Sequence, residues 1–213
     1  MKKKGFTLAE VLITLAIIGV VASLTLPSLM SNTSEQQYKT ALRKVVNTLS
    51  EAGQMNDALE GWAYSGLTTG VTTTAYNSSG NLYPSLYALL STRTNFLDTK
   101  RSMDNKGDND VVAYFKDGTA IMYKASDSFS TSGRPDGFLV TVDVNGAKGP
   151  NTYSNCVKKS AMASYSTSDA QHDDFNAFCN QKANRMIKDR FRIRLHDTLA
   201  TPVDDAGRWA MEN

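Results

Sequence analysis

Histidine and cysteine are scarce in this chain, with two of each among 213 residues. That excludes a zinc module of the finger type, which needs four such ligands close together. The short signatures of catalytic and nucleotide-binding folds are missing as well. There is no GxSxG, no phosphate loop, no HExxH and no GxGxxG. Nor is there an excess of one charge. The formal net charge is +2, but three of the 23 basic residues are Lys2, Lys3 and Lys4. Without them 20 basic residues face 21 acidic ones, a net of −1. A generally basic nucleic-acid binder is not indicated. What remains is an ordinary globular composition, 41% apolar and 21% charged, able to bury a core. At 23.3 kDa the chain has room for one domain plus an extra element, not for a large multidomain enzyme. The expectation is a protein without catalytic activity, metal or cofactor.

The first 27 residues carry the strongest signal. Met1 to Gly5 reads MKKKG, and Phe6 to Leu26 reads FTLAEVLITLAIIGVVASLTL, 21 residues with Glu10 as the one ionisable group. As a helix that run spans about 31 Å, close to the hydrocarbon core of a bilayer. Pro27 then interrupts the ladder and the chain turns polar. The lysines lie on the short side, so the positive-inside rule keeps that end cytoplasmic and puts the rest across the membrane. A secretory signal peptide has a shorter apolar region followed by a small-x-small site, and Val21-Ala22-Ser23 matches that poorly. A plain anchor leaves Glu10 unexplained, because a carboxylate at membrane depth costs a few kcal/mol.

The segment Lys4-Gly5-Phe6-Thr7-Leu8-Ala9-Glu10 resembles the class III signal of type IV pilins and of the pseudopilins of type II secretion. The resemblance covers roughly 25 residues. It implies cleavage by a prepilin peptidase between Gly5 and Phe6, followed by N-methylation of Phe6. Glu10 then becomes the fifth mature residue, where the family has its near-universal glutamate. Pro27 becomes the twenty-second, where a helix-breaking proline is common. In a filament, the amine of Phe6 could meet the Glu10 carboxylate of a neighbouring subunit. Each charge alone would be costly in an apolar bundle, and pairing relieves both.

Beyond Ser28 apolar residues recur at helical spacing: Leu29, Tyr38, Leu42, Val45, Leu49, Ala52, Met55, Leu59 and Trp62. One helix from Phe6 to about Glu60 is predicted, weakened near Pro27, with its second half packed on a head. Turn residues crowd 65–81, and a short helix is predicted over Tyr83–Leu90 with Pro84 in its first turn. Val111–Phe115 and Thr119–Tyr123 flank Lys116-Asp117-Gly118 as a hairpin. Phe138–Val144 is a third strand ending at Asn145-Gly146. Phe191, Ile193 and Leu195 alternate with Arg190, Arg192 and Arg194 in a fourth. The expected fold is α+β, a pilin-like lollipop in which one long N-terminal helix packs against a small antiparallel sheet of three or four strands. Its parts are a leader (1–5), a transmembrane helix (6–27), an amphipathic continuation (28–62) and an extracytoplasmic head (63–213).

The run Val142-Asp143-Val144-Asn145-Gly146-Ala147-Lys148-Gly149-Pro150-Asn151 resembles a pattern in the heads of bacterial pilin-like proteins. There an Asp-x-Phe strand follows closely. Here Asp189-Arg190-Phe191 follows only after an insertion at about 152–188. Cys156 and Cys179 both lie in that insertion, on the side of the membrane where disulfides persist. A bridge between them would stabilise the head by roughly 3 kcal/mol in the chain-entropy model, and the C-terminal disulfide loop of many pilins supports it. A reactive thiol is the alternative.

Asp143-Val144-Asn145-Gly146 resembles the start of a calcium loop, yet no glutamate follows at the required position and Asx-Gly is ordinary turn chemistry. Asp104, Asp108 and Asp110 read as a solvated loop, and His172-Asp173-Asp174 and His196-Asp197 as surface. Lys182, Arg185, Lys188, Arg190, Arg192 and Arg194 crowd 13 residues. Arg190, Arg192 and Arg194 share one strand face. They form either a stripe for DNA or another anionic partner, or a face paired with carboxylates such as Asp204 and Asp205. Phe191 and Trp209 read as core.

The resemblance implies a structural filament subunit, whose partners are further copies or related pilins, prepilin peptidase, a membrane platform protein and an assembly ATPase. The chain would be held in the inner membrane and then moved to a periplasmic or surface filament. A minor or DNA-uptake pilin and an unassembled anchored domain are the other readings.

Overall fold

The computed structural model describes residues 5–67, 74–101, 110–124, 137–156, 179 and 185–212. The chain divides into two compact units, Met1–Gln37 and Tyr38–Asn213. Helix α1, Leu8–Glu60, contributes to both. In the first unit it is the one regular element among the described residues. Its residues Leu8–Leu26 are apolar and unburied, one helix long and apolar enough to cross a membrane. Thr14, Ser23 and Thr25 do not break the apolar character. Each hydroxyl donates to a backbone carbonyl three or four residues earlier. Pro27 lies inside α1, where it withholds one N–H from the helical ladder.

The second unit holds the rest of α1 together with α2 (Leu86–Arg93), strands β1 (Phe96–Arg101), β2 (Asp110–Phe115), β3 (Ala120–Lys124), β4 (Phe138–Asp143), β5 (Asn155–Cys156), β6 (Arg185–Met186), β7 (Arg190–His196) and β8 (Leu199–Pro202), and a C-terminal helix α3 (Asp205–Glu212). The main sheet has six antiparallel strands in the order β1-β2-β3-β4-β7-β8, and β5 and β6 pair separately. The fold class is thus α+β, with more sheet than the three or four strands expected. The hairpin around Asp117-Gly118, the strand from Phe138 and the alternating arginine strand all form. The extra strands β1 and β8 are the two edges. FLDTKR and LATP are short, polar and, in β8, end in proline, so neither shows the alternation of a half-buried strand.

The head packs on the α1 residues that face inward. Leu42, Val45, Val46, Leu49 and Ala52 are buried. Against them lie Val111, Ala113, Ile121, Val140, Val142, Phe191, Ile193 and Leu195 from alternating positions of β2, β3, β4 and β7, as period-2 alternation demands. The predicted stripe on α1 ends earlier than its spacing suggests: Met55 and Leu59 are 52% and 66% exposed. Near its end, α1 instead buries Gly53 and the polar Asn56. Asn56 accepts from Arg93 Nε at 3.0 Å and donates to the Trp62 carbonyl at 2.7 Å, which pins α2 to α1. Helix α2 starts three residues later than predicted. Ser85 is its N-cap and accepts from the Ala88 amide at 3.1 Å, so Pro84 precedes the helix.

Candidate functional site

The N-terminal segment is built around one turn. Phe6 is 90% exposed and Gly5 lies just before it without regular structure. Thr7 is the residue before the first helical position of α1. Its amide and its hydroxyl both donate to Glu10 Oε2, at 2.8 and 2.9 Å, and the Glu10 amide donates to Thr7 Oγ1 at 3.3 Å. This is a reciprocal capping box, in which the acid three residues into the helix and the cap residue satisfy each other. The Thr-x-x-Glu spacing is the sequence signal of this box, a second role for Glu10 beside its charge at membrane depth. Glu10 therefore has a partner within its own chain. Its second oxygen, Oε1, has none among the described residues.

In the head, the structure joins Cys156 and Cys179 as a disulfide with Cα atoms 5.2 Å apart. The three arginines separate into two kinds. Arg190 Nε donates to Asp143 at 2.9 Å and Arg192 Nη2 lies 2.6 Å from Asp204. Arg194, opposite Leu139 and Thr201, has no ion pair among the described residues. The stripe is thus largely a set of internal pairs, with Asp204 in the role foreseen for a head carboxylate. Lys188 exchanges two hydrogen bonds with Ser154: its amide donates to Ser154 Oγ at 2.8 Å, and its carbonyl accepts from that hydroxyl at 2.9 Å.

The turn after β4 is held by two buried carboxylates. Asp143 Oδ1 accepts the Asn145 amide at 3.1 Å. Asp189 accepts the Asn151 and Thr152 amides at 2.8 and 2.9 Å. Burial pushes the Asp143 carboxyl above its usual value, the hydrogen bonds from Arg190 and Asn145 pull the other way, and the nearby Asp189 charge adds to the rise. Asp143 faces inward to protein donors, as a turn carboxylate does. Among the described residues no three His, Cys, Asp or Glu side chains come together to hold a metal. A cavity of about 280 Å³ beside the disulfide is lined by Tyr153, Cys156, Ala206 and the Arg192–Asp204 pair. His196 Nδ1 lies 3.4 Å from the exposed Asp197 at the β7–β8 turn. Phe191 and Trp209 are buried. The leader lysines, Asp104, Asp108, His172-Asp173-Asp174, Lys182 and most of the 152–188 insertion lie outside the described residues.

Comparison with known proteins bears on short stretches of the chain. Residues 1–26 match the family model described as the prokaryotic N-terminal methylation motif. A curated relative is the type II secretion system core protein G of Escherichia coli (strain K12), 42% identical over 45 residues. The match covers 21% of this chain and 31% of that protein, so the chain spans about a third of the relative's length. No solved structure matches the chain. The protein thus bears a prokaryotic N-terminal methylation motif at residues 1–26 and is similar, over a short stretch, to a pseudopilin of type II secretion.

Proposed function

We propose that this chain is a non-enzymatic structural subunit of a type IV pilus-like filament or a type II secretion pseudopilus. It is made as a precursor in the inner membrane, with residues 1–5 cytoplasmic and the head extracytoplasmic. Prepilin peptidase cuts between Gly5 and Phe6, and the new Phe6 amine is methylated. The subunit then joins further copies or related pilins in a helical filament through α1, driven by a platform protein and an assembly ATPase.

The observation that carries this reading is the state of Glu10. It is the lone ionisable side chain in an apolar helix, and Oε2 is already occupied by Thr7. The capping box holds the carboxylate at the very start of the helix, one turn from the cut, and leaves Oε1 to meet a cationic amine. In an apolar bundle that pair relieves two desolvated charges at once. Pro27, lacking an N–H, is where α1 can adjust as subunits pack. The ion pairs of Arg190 and Arg192 support a structural role for β7 in place of an anion-binding one.

Glu10→Gln separates charge from capping, because glutamine also completes a capping box. The variant is expected to insert in the membrane and be cleaved like the parent, yet to be missing from sheared filaments, as is Glu10→Ala. Normal incorporation of Glu10→Gln would show that the carboxylate serves the cap alone.

A further inference from the structure

Helix α3 is eight residues long, too short to hold itself in water. Of its four buried residues, Ala206, Gly207, Trp209 and Ala210, only Trp209 is large. The docking of α3 therefore depends on how the indole is held. Among the described residues two cations lie over it: Lys39 Nζ of α1, 3.7 Å from the ring centroid, and the Arg185 guanidinium of β6, 3.9 Å from it. Lys39 is itself buried, and one turn further along α1 Arg43 Nε donates to the Ala210 carbonyl at 3.2 Å.

Arg185 is positioned from the disulfide. Its Nη1 donates to the Cys179 carbonyl at 2.8 Å, and its own strand pairs Arg185 with Cys156. Both half-cystines thus fix a guanidinium that covers Trp209. Cys179 Sγ also lies 3.6 Å from the carbonyl of Asp205, the first residue of α3. The bridge, Arg185, Trp209 and Lys39 form one continuous chain of contacts from the insertion to α1.

We infer that the Cys156–Cys179 bridge is a redox condition on the docking of α3: the C-terminal helix seats on α1 when the bridge is closed and releases when it is open, while the main sheet persists. Closing the bridge passes two electrons and two protons from the two thiols to a protein-disulfide oxidant, which becomes a dithiol. A dithiol reductant runs the exchange backwards. The thiol state of a new subunit would then decide whether Lys39 and Arg43 of α1 are covered. Arg185 acts here as a positioning residue.

The test is amide hydrogen exchange on the full chain in detergent, oxidised and then reduced with dithiothreitol. On reduction, the amides of α3 are expected to exchange about tenfold faster or more, while those of β3, β4 and β7 change little. In the oxidised protein, Arg185→Ala reproduces that local loss, and Arg185→Lys, which keeps a cation for the indole, restores part of it. Unchanged α3 exchange on reduction would overturn the inference. So would loosening of sheet and helix together, which marks a global staple, or full α3 protection in oxidised Arg185→Ala.

Discussion

Arg190 and Asp143 form an ion pair whose acidic member has no solvent exposure at all. The Arg190 Nε–Asp143 Oδ2 distance is 2.9 Å, and the arginine side chain keeps 17% of its surface in water. The pair spans adjacent strands at the register Asp143↔Arg190, beside the Asn145-Gly146 turn. The most basic-looking strand of the sequence is in this way tied into the head by its own side chains.

The three arginines of β7 should therefore respond differently to truncation. Arg190→Ala leaves the buried Asp143 uncompensated and is expected to destabilise the head by roughly 3 kcal/mol. Arg192→Ala should act in the same direction, because Asp204 is left with little solvent. Arg194→Ala should stay within about 0.5 kcal/mol of the parent. Denaturant unfolding of the three variants measures this, and equal effects at all three positions would refute the division.

Asp143 also sets a pH dependence. Its carboxyl is raised by burial, so the folded protein takes up this proton before the unfolded chain does. Stability from this group therefore increases as the pH falls through the raised folded-state value toward the ordinary aspartate value. Asp143→Asn removes that contribution. Between neutral pH and the ordinary aspartate value, the variant should lose stability on acidification more steeply than the parent. Parallel stability curves for the two proteins, by denaturant unfolding at several pH values, would contradict the assignment.

At Gly53, α1 packs tightly against the β7–β8 turn. A Cβ there would lie 2.7 Å from the Thr198 carbonyl oxygen and 2.8 Å from the Tyr64 ring. Tyr64 cannot move aside freely: its hydroxyl donates to the Leu49 carbonyl at 2.8 Å and its amide to the Asp197 carbonyl at 2.9 Å. Gly53→Ala should cost about 1–3 kcal/mol, lowering the midpoint of thermal unfolding by several degrees. An unchanged midpoint would show that helix and turn separate without cost.

Much of this was legible in the residues. The apolar run before Pro27, the hairpin at Asp117-Gly118 and the alternation of Phe191, Ile193 and Leu195 each carry a local period or turn that dictates the element. The edge strands β1 and β8 were not legible, because an edge strand needs no alternating buried face. Nor could spacing show that Met55 and Leu59 face outward, since near its end α1 turns the small Gly53 and the polar Asn56 to the head instead. The Asp189 clasp on Asn151 and Thr152 joins residues 37 and 38 apart in sequence, beyond any local pattern. The capping spacing of Thr7 to Glu10 is local and legible in the sequence. The contact of Lys39 and Arg185 with Trp209 joins three distant segments and exists only in the folded head.

The central claim is that the chain is cut after Gly5 and assembled through the helix that begins beside Phe6. Mass spectrometry of the amino-terminal peptide, from protein recovered in the sheared filament fraction, tests this most directly. The account predicts a terminus at Phe6 carrying one methyl group on its amine. A peptide that retains Lys2, Lys3 and Lys4, or one that begins well beyond Phe6, would contradict it.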